Sequence, residues 1–133
     1  MTFTTIGTWI LRLLAAIILL QTLFFKFTAA EESVYIFTQI GMEPWGRIGT
    51  GIMELIAALL LLYPKTTPYG ALLAIGLMGG AIFFHLTKLG LVVKNDGGQL
   101  FVYAITVLLC SVILLAIYRK ELIATTRSVL KLN

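Results

Sequence analysis

The chain has 133 residues, of which 59% are hydrophobic and only 12% charged, with a mean hydropathy of +1.00. A soluble domain carries about 25% charged residues, so this apolar excess is more than a water-facing surface hides, and a soluble globule is excluded. The net charge of +4 and pI of about 9.4 do not imply nucleic acid, because basic residues at loop ends are what orientation in a bilayer requires.

The first apolar segment, Ile6 to Lys26, is longer than a signal-peptide core and reads as a retained span; cleavage near Ala29-Ala30 is the alternative. It carries Arg12 in its first third and Gln21 and Lys26 near its far end. The connection from Phe27 to Glu43 is too polar to cross a bilayer. Within it, Ala30 to Gln39 spaces its residues as a short amphipathic helix, with Val34, Phe37 and Ile40 on the apolar side. Gly41 stops that helix, and Pro44 starts the next where a missing N–H is harmless.

The second span, Gly46 to Tyr63, holds a carboxylate. Glu54 lies about 10 Å along the axis from Arg47, where hydrocarbon should begin. A charged acid at that depth costs about 2.5–3.5 kcal/mol even on insertion scales, so it needs a partner, a cavity or a proton. Thr50, Gly51, Ala57 and Ala58 share its face and form a small-residue stripe suited to close helix contact.

The turn Pro64 to Pro68 leads into a third span, Tyr69 to Lys88, with Gly76 and Gly80 spaced as a helix-contact or self-association pair. His85 lies near its end. Asn95-Asp96-Gly97-Gly98 signals a turn, and a fourth span, Leu100 to Tyr118, precedes a basic tail, residues 119–133. The expected fold is all-α: a single-domain integral membrane four-helix bundle, residues 1–133, up-down-up-down, with the amphipathic helix outside the cytoplasm between spans one and two. Six basic residues fall on the side of the termini and four on the other, which predicts a multi-pass protein with both termini cytoplasmic.

That topology places Lys26, Glu54 and His85, from three different spans, in one leaflet, with Gln21 and Gln99 nearby. Polar side chains at one depth meet because hydrocarbon offers no other partner. Each also has a plainer reading. Lys26 can snorkel to the headgroups or clamp Glu54, His85 can bond a backbone carbonyl, and Arg12 is expected to snorkel toward the cytoplasm. The third-span glycines are expected as packing contacts, and Cys110 as a small packing residue.

One histidine and one cysteine exclude bis-histidine haem ligation, an iron–sulfur site and a closed zinc site, so no metal is expected. A lone thiol also excludes an intramolecular disulfide and a dithiol redox motif. An acid, an imidazole, an ammonium and amide donors among phenylalanines suit a flat apolar ligand with polar oxygens, such as a quinone. They suit proton-linked handling of a small solute equally.

Arg12, the Phe25-Lys26 end of the first span, Ile40-Gly41-Met42-Glu43-Pro44, Gly51-Ile52-Met53-Glu54, Gly70-Ala71, Gly79-Gly80-Ala81 and His85 stand in an order and spacing that resembles the DoxX family of small four-helix bacterial membrane proteins. The resemblance spans nearly the whole chain. It implies a bacterial inner (cytoplasmic) membrane protein associated with an oxidoreductase, since the family is similar to a subunit of a membrane thiosulfate:quinone oxidoreductase. It assigns Lys26, Glu54 and His85 to a redox-associated site, and thiosulfate chemistry would need a soluble or membrane redox partner. The alternative is a non-catalytic module, for small-solute permeation or assembly, with those polar residues structural.

Overall fold

The computed structural model describes residues 2–131, and within them the chain forms five α-helices with a 3-10 turn and a π-helical turn between them. Helix α1 (Phe3–Phe27) starts where the Thr2 hydroxyl accepts the Thr5 N–H at 3.2 Å, a side-chain cap for a donor the helix cannot satisfy itself. Helix α2 (Glu31–Gln39) carries Glu31 and Glu32 in its first turn, where the positive end of the helix dipole favours them. It ends before Gly41, whose φ of +77° reverses the chain at no steric cost. Helix α3 (Trp45–Leu62) runs to Tyr63, which Pro64 holds extended. After a 3-10 turn at Pro64–Thr66, helix α4 (Thr67–Phe84) carries Pro68 in its opening turn.

Four of these helices, α1, α3, the α4 segment and α5 (Gln99–Lys131), are long and apolar enough to cross a membrane. They form the antiparallel bundle expected from the sequence. Helix α1 packs on α3 and α5, and α4 packs on the same two; α2 lies against α1, α3 and the end of the α4 segment. The shared core consists largely of alanines, Ala15, Ala16, Ala57, Ala58, Ala71 and Ala74, closed by Leu19, Leu61, Val107 and Leu114. Small residues let helix backbones approach where lipid removes the usual hydrophobic drive for association. The closest approach is at Gly70, where a Cβ would stand 2.6 Å from the Leu61 nitrogen.

Two arginines lock α1 to α3 reciprocally. Arg12 is 1% exposed and donates from Nε to the Leu61 carbonyl at 2.7 Å and from its terminal nitrogen to the Leu62 carbonyl at 2.5 Å. Arg47 donates to the Lys26 carbonyl at 2.5 Å while its Nε holds both Glu43 oxygens at 2.9 and 3.0 Å. Each cation thus adds charged donors to last-turn carbonyls of the other helix, where the i+4 N–H of a continuing helix is missing. The expectation that Arg12 snorkels is corrected: its donors find carbonyls inside the bundle, and Trp9 covers the guanidinium at 3.7 Å.

Three other features differ from the sequence reading. The third span is α-helical only to Phe84, then widens into a π-helical turn at His85–Leu89 that closes on Gly90 at φ +79°. The basic segment after Tyr118 continues α5 to Lys131, because no glycine or proline interrupts it. Gly76, Gly79 and Gly80 make no packing contact within the chain: all three are exposed, a Cβ on any of them would meet nothing within 4 Å, and Gly76 and Gly80 line the cavity described below.

Candidate ligand cavity

Glu54 faces inward with its stripe, in which Gly51, Ala57 and Ala58 are buried against neighbouring helices and Thr50 is half-buried. Gly51 has no room for a side chain, since a Cβ there would stand 2.7 Å from the Phe27 ring. The Glu54 carboxylate meets Lys26 of α1, with Nζ to Oε1 at 3.1 Å and side-chain exposures of 15% and 4%. Its second oxygen accepts the Thr22 hydroxyl at 3.3 Å. The acid therefore has a cation and a neutral donor, both from one face of α1 at the i, i+4 spacing.

His85 does not join that pair. Its Nδ1 lies 3.0 Å from the Gly90 carbonyl, and its ring stands edge-on to Phe101 with centroids 5.6 Å apart. A carbonyl only accepts, so Nδ1 carries the hydrogen; in the neutral ring Nε2 is then a lone-pair acceptor. The π-helical turn sets this geometry by widening the backbone at His85, a device frequent at functional sites.

What joins the two is space. A cavity of about 720 Å³ lies among α1, α3, α4 and α5 beneath α2, and Lys26, Glu54, His85, Gln21 and Gln99 all line it. Gln21 and Gln99 stand at its exposed edge, and the Gln99 amide donates to the Tyr103 hydroxyl at 2.7 Å. Phe25, Phe37, Phe84 and Tyr103 supply aromatic wall. The volume is within the roughly 300–1,000 Å³ of small-molecule sites, and a mostly apolar lining with a few convergent polar groups is their usual chemistry.

The roof is tied down by residues that spacing alone did not single out. Lys94 reaches from the loop before α5 to Glu31 of α2 at 3.0 Å and lies over the Tyr35 ring at 4.9 Å. Beneath it, Asp96 accepts the Val93, Gly98 and Leu100 N–H groups at 3.0, 2.8 and 3.3 Å. Burial pushes the Asp96 carboxyl up, but those three N–H donors, joined by the His85 ring when it is charged, outweigh it and hold the group below its usual range. The Asn95-Asp96-Gly97-Gly98 signal was legible as a turn; its role as the cap of α5 beside His85 was not.

No curated protein and no solved structure matches the chain. A family model does, over residues 10–116. That stretch holds α3 and the α4 segment whole, most of α1, the first half of α5 and every cavity residue named above, so the bundle and its cavity are those of a membrane protein that belongs to the DoxX-like family.

Proposed function

We propose that this protein binds a flat apolar ligand with polar oxygens, a quinone or its reduced quinol, in the cavity beneath α2, and serves a membrane oxidoreductase assembly as a redox-associated subunit. The observation that carries the reading is the Lys26–Glu54 pair on the wall of a 720 Å³ apolar cavity that His85 also lines. The donor set fits such a ligand. Lys26, Gln21 and Gln99 offer N–H groups to carbonyl oxygens, His85 Nε2 offers a lone pair to a hydroxyl, and the aromatic wall accepts a ring. The bound quinone would supply the electron-carrying chemistry; this chain's residues bind it, orient it and exclude water. In this reading the protein is multi-pass in the bacterial inner membrane, with both termini cytoplasmic and the cavity toward the outer leaflet. A redox partner chain supplies any thiol chemistry, because Cys110 is buried alone in α5. The open Gly76–Gly80 face would serve for self-association.

One observation favours a second reading. Both Glu54 oxygens have protein partners, as a helix clamp in a non-catalytic assembly or permeation module requires. Calorimetric titration of a short-chain quinol and quinone into the protein in nanodiscs separates the two. The first reading expects binding that Ala81→Trp, which fills the cavity, abolishes without loss of thermal stability. No binding by the unmodified protein, together with lower stability of Glu54→Gln, would leave the clamp. Proton-linked solute uptake into proteoliposomes would assign the permeation role.

A further inference from the structure

Gly76 stands at the middle of the third span, twelve residues after Pro64 and thirteen before Leu89, so hydrocarbon lies outside it. With Leu73, Leu77 and Gly80 it forms one edge of α4, at i, i+3 and i+4 spacing. Two hollows meet on that edge. The cavity reaches it from inside, through Gly76, Leu77 and Gly80. From outside comes an open groove of about 500 Å³ between α3 and α4, lined by Met53, Tyr69, Leu72 and Leu73 and again by Gly76 and Leu77. The partition is therefore a single layer of residues. One of its two shared members has no side chain, and a Cβ there would meet nothing within 4 Å. On the α3 side Met53, next to Glu54, is 44% exposed, and its unbranched side chain yields at low cost. Glycine inside a helix costs about 1 kcal/mol relative to alanine. At Gly70 close approach to α3 accounts for it; at Gly76 no contact within the chain does.

Resting on the quinone reading above, we propose that the ligand carries a hydrocarbon tail and enters sideways from the bilayer between α3 and α4, across Gly76. Its ring then lies in the cavity beside Lys26, and its tail stays in the groove beside Met53 and Leu72. Size requires an exit for the tail. A volume of 720 Å³ is about 11 Å across as a sphere, whereas the hydrocarbon of one leaflet is about 15 Å deep. Polarity selects the exit. Exposed Gln21, Glu31, Glu32 and Gln99 line the cavity edge beneath α2, and an apolar chain has no reason to leave lipid for a mouth that carries two acids. The Gly76 edge is apolar throughout. A second copy seated on it would shut it, so the tailed ligand and self-association compete for this face.

The test compares a benzoquinone bearing a decyl tail with the same ring bearing only a methyl group. Each is titrated calorimetrically, at equal mole fraction, into nanodiscs holding one copy of the full chain. Gly76→Leu plugs the edge and weakens the tailed quinone about ten-fold or more while leaving the tail-less one within about two-fold. Gly79→Leu adds the same bulk where neither hollow is lined and changes neither affinity. A diazirine at the end of the decyl chain labels Met53, Leu72 or Leu73 in the unmodified protein, a measurement that relies on no variant's fold. Equal effects of Gly76→Leu on the two quinones overturn the proposal. So does labelling of Gln21 or Glu32 instead, which gives entry to the mouth beneath α2; the quinone reading survives either result. Binding of neither quinone by the unmodified protein removes both.

Discussion

The two ends of the bundle bury a cation in opposite ways. At the end carrying Thr2, Arg12 aims its donors at the Leu61 and Leu62 carbonyls, Trp9 covers it, and the Thr67 hydroxyl bonds Leu61 at 3.2 Å. No side-chain acid takes part, and Arg12 lines neither described cavity. At the other end Lys26 pairs with the carboxylate of Glu54, and both line open space. A cation spent on backbone carbonyls stabilises the helix ends it caps; a cation paired with an acid beside a cavity has donors left for a ligand. Intramembrane charge alone does not separate these cases. What the charge faces does.

The largest effect expected from breaking this contrast is at Arg12. Arg12→Met strands the Leu62 carbonyl, leaves Leu61 with the Thr67 hydroxyl alone and loses two charge-assisted bonds, which destabilises the bundle by about 3–5 kcal/mol in detergent unfolding, with no second-site charge change able to restore it. Lys26→Met comes next, at about 3 kcal/mol, because it leaves a nearly buried acid without its cation. Here rescue is expected: Lys26→Met combined with Glu54→Leu recovers most of the stability while ligand binding stays lost. Failure of that double variant to recover would put the two ends in one class.

Gly51→Ala pushes a methyl into the Phe27 ring and costs about 1–3 kcal/mol, read by thermal unfolding. Asp96→Ala removes the cap of α5 and costs about 1 kcal/mol. Because the folded Asp96 carboxyl lies below its ordinary value of 3.8, its contribution is complete above that value and fades as pH falls through the lower folded one. The acid limb of the stability profile should therefore flatten in this variant. The smallest effect has the opposite sign. Gly76→Ala and Gly80→Ala meet no neighbour and add helix propensity, so each should raise stability by up to about 1 kcal/mol. A loss instead would show that this face is covered in the membrane.

Composition and apolar run length determined the membrane class, the four spans and their antiparallel order, because backbone groups in hydrocarbon leave little but helices of bilayer length. The inward face of Glu54 was readable from the small residues at i±3 and i±4. Only the tertiary structure decided partners. Lys26 and Arg12 share a helix and a charge, yet one meets an acid and the other meets carbonyls, and that depends on where α3 begins and ends beside them. The π-helical turn that holds His85 away from the acid, the unbroken course of α5 beyond Tyr118 and the open glycine face also required coordinates. Spacing along one helix gives its face and depth; the distance between two helices is set by the packing of all of them together.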